Sequence, residues 1–582
     1  AYPAESYSDY ATYETDFCID NNKSEFNFEL KDTNSQYSEI AKVSGNKLYV
    51  NNNAAADVEN GKWYTISASY DFKGTTRKVY LDGKLVFGGA ADNSSFRKNS
   101  GYVSVMRIRV PSHTSAADYS SFSVDNIRAY EEKEPCKYIG DFLIKPIISD
   151  KSVFTDTDYV TKDEIYEAYK SVNKSHPRIQ AVSSDFDKIK SEINTNSIAA
   201  DWSDALSEYA ESASSKANIV YSFKDSNPML LDAQNTLNDV YTLCMAYKIS
   251  GNKAYLNKVW NIMNNIGSFG DWMPSNHLTV AEMSTAAAVA YDWLYDDVTD
   301  EQRKYIEEAV YKNAIYDYIL MYRDGNSPMA NAADNDMNHS VVCNSGAFVT
   351  AMAFMDVYPE ECKLIAQEAL RGINKILYRF APNGAWFEGP GYWKYTMQYL
   401  TKLIQTAENS LGTDYDISKA EGIPVSQKYI LAMQSDIAMF NYGDAGANNV
   451  FAPEVMYLSK LGNDAESING LLKLSGLKFG SGPDYALALL WYDGQSVPSE
   501  ISNKDFYFPG EEVASMRDSW NSTNETYLGI RAGKPSETHS DLDAGTFVFD
   551  SSGVRWAKDY GAGDYGSFGY WDNTENGGRW KN

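Results

Sequence analysis

Gly384-Ala-Trp-Phe-Glu-Gly-Pro-Gly-Tyr-Trp-Lys-Tyr395 packs aromatic rings and backbone breaks around one carboxylate and one amine. Glycine allows tight turns and close approach of a ligand, so the stretch reads as a turn that opens a helix running from Tyr392 to Leu411. Its rings have apolar faces and polar tips, the chemistry of a sugar platform. On that reading Trp386, Glu388, Trp393 and Tyr395 are substrate contacts. The same composition also describes a buried aromatic cluster behind a helix entry, and residues alone leave both readings open.

Outward from this turn the hydrophobic period is near 3.6 in both directions. Helices are expected at Lys162 to Val172, Ser184 to Ile193, Trp202 to Ala213, Leu230 to Ser250, Lys253 to Ile266, Thr279 to Tyr295 and Thr299 to Leu320. Further ones follow at Ser340 to Met355, Pro359 to Arg379, Tyr392 to Leu411, Ser426 to Phe440, Ala452 to Leu461 and Ala465 to Leu474. So many helices on short loops, with no strands between them, predict an α/α toroid over residues 161–500.

Before a charged linker (136–160), residues 1–135 alternate with period two in short runs such as Phe26-Asn-Phe-Glu-Leu30 and Trp63-Tyr-Thr-Ile-Ser-Ala-Ser69, as a β-sandwich requires. Gly61-Lys-Trp-Tyr-Thr-Ile66, Tyr80-Leu-Asp-Gly-Lys84 and Phe122-Ser-Val-Asp-Asn-Ile-Arg-Ala-Tyr130 resemble the jelly-roll modules of the concanavalin-like group. Strands return over 501–582, at Val513 to Arg517, Thr526 to Arg531, Gly545 to Asp550 and Val554 to Lys558. A sandwich begun there has no room for its second sheet, so a fragment, or completion by another chain, is expected. The fold class is therefore multidomain α+β: jelly roll, α/α toroid, and the start of an antiparallel β-sandwich.

A formal net charge of −27 argues against nucleic acid as a partner, and no apolar run is long enough for a membrane span. A polyanionic substrate would need a local basic patch, for which Arg371, Lys375, Arg379, Lys394 and Lys402 are candidates. The five cysteines include no CxxC pair; a bridge from Cys18 to Cys136 would tie the ends of the first module. The style of the chain is that of a secreted or periplasmic protein.

Of the five histidines, His113 and His176 read as structural. His277, in Asp271-Trp-Met-Pro-Ser-Asn-His277, caps a helix or touches substrate together with Trp272. His339 follows Asn338 at a helix start. His539, in Glu537-Thr-His-Ser-Asp-Leu-Asp543, has more polar neighbours than a strand entry needs.

In order and spacing, Asn338-His339-Ser340, Glu388-Gly-Pro-Gly-Tyr-Trp393, His539-Ser-Asp-Leu-Asp-Ala-Gly-Thr-Phe547 and Gly553-Val-Arg-Trp-Ala-Lys-Asp559 resemble the heparinase II/III group of polysaccharide lyases. The resemblance implies β-elimination on an acidic, uronate-containing polysaccharide, glycosaminoglycan or alginate-like. Asn338 and His339 would neutralise the uronate carboxylate, and Tyr392 and His539 would flank the sugar as base and acid. Tyr395 is the alternative to Tyr392. Lys394 or Arg379 would supply positive charge to lower the Tyr392 pKa. Asp541 and Asp559 match positions that hold a divalent metal in relatives, with histidine in place of Asp541, so zinc, calcium or manganese in a structural role is the implied cofactor; no organic cofactor is implied. Val342 stands where some members carry glutamate, which makes the Asn338-centred lyases the nearer pattern. A uronate C5-epimerase and an inactive glycan-binding protein are the competing readings.

Overall fold

The computed structural model describes residues 10–20, 22–32, 37–71, 76–90, 103–109, 122–130, 152–154, 159–172, 175–221, 229–323, 330–474, 479–494, 500–520 and 524–564. The chain forms two compact units, Ala1–Lys145 and Pro146–Asn582. His113, Cys136 and most of the linker fall outside the described residues. Cys18 is a buried free thiol.

The first unit is a β-sandwich of two five-stranded antiparallel sheets. One runs in the order Phe122–Tyr130, Tyr10–Ile19, Trp63–Asp71, Thr76–Leu81, Lys84–Ala90. The other runs Asn53–Asp57, Lys47–Val50, Tyr37–Ser44, Glu25–Asp32, Val103–Arg109. Alternating apolar residues place Phe17, Phe26, Phe28 and Tyr64 in the core, their rings in mutual contact. Each such buried ring contributes about 1.5–3 kcal/mol over exposure. The hairpin between Leu81 and Lys84 turns on Asp82 and Gly83, both at positive φ, the backbone that a two-residue turn needs to follow strand twist.

In the second unit the helices pack as a chain of neighbours. Leu230–Ser250 lies on His277–Trp293, which lies on Asn338–Ala353, and that helix packs against both Pro359–Ile376 and Pro390–Leu411. The two middle helices are buried all round, which their small, apolar composition allows. At their contact a Cβ on Gly346 would stand 3.0 Å from the Cβ of Ala281, so the axes approach closely at the middle of the second helix. The helix expected over Thr299 to Leu320 is interrupted by a π-helical turn at Tyr311–Ile315. The one expected over Ser426 to Phe440 ends early: Gln427–Ala432 is helical, after which Gln434 bridges to Met439. A further helix, Gly482–Trp491, escaped the sequence reading because its apolar run is as short as a strand.

A five-stranded antiparallel sheet in sequence order closes the unit: Phe506–Phe508, Val513–Arg517, Tyr527–Arg531, Phe547–Ser551 and Val554–Ala557. Its inner face rests on the segment that follows the shortened helix. Tyr527 Oη donates to the Ala432 carbonyl at 2.8 Å, Arg517 Nη2 to the Gln434 carbonyl at 2.7 Å, and Arg555 Nη1 to the Met439 carbonyl at 2.7 Å. Met516, Ile530, Phe547 and Trp556 on the sheet are exposed. These bonds end the helix at Ala432, because its last carbonyls are claimed by the sheet, and they bring the loops around Asp444 and His539 together.

Candidate active site

Four of the sequence-predicted residues lie in the first turns of three helices. His277 begins His277–Trp293, Asn338 and His339 begin Asn338–Ala353, and Tyr392 is the third residue of Pro390–Leu411. Helix N-termini carry unsatisfied N–H groups and partial positive charge. Gly389, at φ +91°, and Pro390 set the entry of the third helix. The turn before it is fixed by Gly384, at φ +84°, where a Cβ would fall 2.3 Å from Ser426 Cα.

His277 Nε2 and His339 Nδ1 share a hydrogen bond at 3.3 Å. Burial pushes both rings down to about 4, aided at His339 by repulsion from His277 and His539, so both are neutral N–H donors near neutral pH. His277 Nδ1 and Asn338 Oδ1 are buried with no hydrogen-bond partner. Orphaned polar atoms of this kind call for an explanation, and a polar ligand supplies one.

Glu388 is buried and braces Asn338. It accepts from Asn338 N at 2.7 Å, from Asn338 Nδ2 at 3.1 Å on each oxygen, and from Trp386 Nε1 at 3.0 Å. Burial raises its pKa, against the opposing pull of His539 and these bonds. His539 Nε2 lies 3.6 Å from Glu388 Oε1. The His539 ring stacks on Tyr392, centroids 3.9 Å apart and planes 19° apart.

Asp444 is the residue that sequence reasoning missed. It meets His539 Nδ1 through Oδ2 at 2.8 Å and donates its backbone N–H to the His539 carbonyl at 3.0 Å. Gly443 before it, at φ +61°, has no room for a side chain: a Cβ would stand 2.6 Å from the His539 carbonyl oxygen. The only sequence mark of this clamp is a carboxylate in the Gly-Asp-Ala-Gly turn at 443–446.

Several expectations need correction. Trp272, Trp386 and Trp393 are almost fully buried, and each spends its indole N–H inside the protein, on the Ile266 carbonyl, Glu388 and Ser426 Oγ. They are packing residues, not sugar platforms. Glu388 supports Asn338 rather than facing a ligand. Tyr395 Oη donates to the buried Glu282 at 2.6 Å, and the ring against His539 is that of Tyr392. Lys394 is paired with Asp484 and Arg379 with Asp336, so neither is the partner of Tyr392 that was expected. Tyr392 and His539 are stacked on each other, so no sugar fits between their two rings.

The residues present do not fit the implied metal. Thr546 Oγ1 donates to Asp559 Oδ2 and Gly561 N to Oδ1, both at 2.7 Å, which occupies that carboxylate. Asp541 is buried, and among the described residues no group of three or more His, Cys, Asp or Glu side chains is gathered for a metal ion.

Comparison with known proteins bears on the first unit directly. Residues 4–133 match the concanavalin A-like lectin/glucanases superfamily. No curated protein matches the chain. Among solved structures, a heparinase III gene product is similar at 15% identity and a TM-score of 0.40, over 62% of this chain and 57% of that one. A heparan sulfate lyase from Pedobacter heparinus is similar at 11% and 0.36, over 70% and 67%. An alginate lyase from Bacteroides ovatus is similar at 12% and 0.40, over 55% and 99%. The chain thus spans little more than half the length of the first of these. Such low scores leave the chemistry to be argued from the side chains.

Proposed function

We propose that the chain is an exported polysaccharide lyase that cleaves a uronate-containing polysaccharide by β-elimination. The observation that carries this reading is the Tyr392–His539 stack beside three helix N-termini that present neutral donors. Elimination removes the proton on C5, next to the uronate carboxylate, and expels the oxygen on C4. The C5 proton is weakly acidic until donors aimed at the carboxylate stabilise the enolate-like intermediate, as in an oxyanion hole. His339, with His277 behind it, takes that role beside Asn338, whose Nδ2 carries a second hydrogen besides the one shared with Glu388, reinforced by the helix dipoles.

Tyr392 then acts as the base at C5, with His539 against its ring, and one of the two returns a proton to the departing O4. Since no sugar fits between the rings, both proton movements take place on one face of the sugar. Such a syn elimination suits residues whose C5 hydrogen and C4 oxygen share a face, as in glucuronate and mannuronate. The one-sided arrangement also favours a lyase over a C5-epimerase, which must return the proton from the opposite face.

The test is to incubate the protein with glucuronate and mannuronate polymers and follow the ultraviolet absorbance of the unsaturated product. Growth of absorbance is expected. Silence, with deuterium entering C5 from heavy water, would replace this reading by the epimerase; silence without exchange would leave a glycan-binding protein.

A further inference from the structure

Resting on the lyase reading, the charge of the substrate can be read from how the cations around the site are spent. Sulfate groups are recognised by basic side chains free to donate, arginine above all. Lys375 and Arg379, which reach the loop before Asn338, are each held by a carboxylate of that loop, Asp334 and Asp336. Arg379 Nη1 also lies 3.6 Å from Glu537 Oε2, on the His539 loop. Lys394 is bound to Asp484 at 2.9 Å, and Arg371 to Glu368 at 3.1 Å. Lys402 is fully buried, over the Tyr241 and Tyr399 rings.

Lys534, exposed on the His539 loop, acts on the buried Glu511. The groups proposed to meet the substrate carboxylate are uncharged at neutral pH, namely the amide of Asn338 and the imidazoles of His277 and His339. Behind them are two carboxylates, Glu388 bonded to Asn338 and Asp444 bonded to His539. Of the expected basic patch, Arg371, Lys375, Arg379 and Lys394 are thus paired with carboxylates and Lys402 is buried out of reach, and a carboxylate can be held here by helix N-termini and neutral donors.

We infer that the site takes an unsulfated uronate chain, whose carboxylates are its only charges. A sulfated chain would bring several more anions to a site where, among the described residues, Arg371, Lys375, Arg379 and Lys394 are already paired with carboxylates, and like-charge approach is costly. Attraction that does not depend on free cations is also weakly screened by salt.

The experiment offers the protein three probes: an unsulfated glucuronate–N-acetylglucosamine polymer, poly-mannuronate, and heparin as the N- and O-sulfated counterpart. Unsaturated product is followed by absorbance, and binding by titration calorimetry at low and high salt. At least one unsulfated chain is expected to turn over about tenfold or more faster than heparin, with an affinity that changes little with salt. Faster cleavage of heparin, or heparin affinity that is tighter and steeply lost with salt, overturns the inference while leaving the lyase reading intact. Unsaturated product from none of the three sinks the lyase reading instead, and the calorimetric ranking then decides the charge preference. Binding to none overturns both.

Discussion

The imidazole of His539 lies flat on the phenol ring of Tyr392, 3.9 Å between centroids, while Asp444 grips the same histidine by side chain and by backbone. Phenylalanine at 392 would keep the stacked ring and remove only the hydroxyl. Tyr392→Phe is therefore expected to lower kcat by about 10²–10⁴, the usual worth of a positioned acid/base, with KM nearly unchanged. Steady-state kinetics on the best polymer, with calorimetric binding alongside, measures this. Retention of more than a tenth of the activity would remove Tyr392 from the chemistry.

Asp444 fixes which nitrogen of His539 carries the proton. With a carboxylate at Nδ1, the neutral ring holds its hydrogen there and leaves Nε2 toward Glu388 and the site. Asp444→Asn keeps the shape but removes that preference, and kcat should fall about 10²-fold with little change in KM, as expected of a misassigned tautomer. Nitrogen-15 shifts of labelled histidine should show His539 moving away from the Nδ1–H form, while Asp444→Glu regains part of both signals. Unaltered shifts in the asparagine variant would make Asp444 a purely structural residue.

Far from the site, His176 is buried and bonds through Nδ1 to Asp292 at 2.6 Å and through Nε2 to Asp356 at 3.4 Å, stacked on Tyr295. Burial works against its charged form, but the bonds to the two carboxylates outweigh it and raise the pKa. A raised folded value means that the stabilisation is complete below the unfolded value of about 6.5 and is lost as pH rises through the folded one. His176→Gln should thus cost about 3 kcal/mol in mildly acidic buffer and distinctly less in alkaline buffer, read from denaturant melts. A pH-independent cost would show that the ring is neutral in the fold.

His277 and His339 have the opposite sign. Both are held down to about 4, so the unfolded chain binds protons that the folded chain refuses as pH falls from about 6.5 toward 4. Stability is lost in that window, by about 2–3 kcal/mol for His277 alone. His277→Asn should flatten the acid side of the stability curve by that amount. A variant curve parallel to the wild-type one would mean that His277 is protonated without penalty.

The architecture was legible because each part has its own period: two in the first module and in the closing strands, near 3.6 between them. The errors share a physical origin. Tryptophans beside glycines have one composition whether they line a cleft or fill a core, and only burial separates Trp386 and Trp393 from a platform. Asp444 escaped notice because its partner lies 95 residues away, and nothing local marks a carboxylate as facing a histidine. The supposed basic patch failed likewise, since Lys375 and Arg379 find their acids on a loop far back in sequence. Motif order brought Asn338, His339, Tyr392 and His539 into view; the structure places the first three at helix starts and His539 on a loop, stacked on Tyr392.

The pairs Lys375–Asp334 and Arg379–Asp336 have an evolutionary consequence. A lineage carrying this scaffold toward a more anionic polymer has no need to acquire new basic residues. One base change turning either aspartate codon into an asparagine codon would leave the loop its hydrogen bonds and unmask a cation already standing at the rim. On the proposed lyase reading the acids of this loop form a reversible latch on specificity, traced through losses of aspartate rather than gains of arginine.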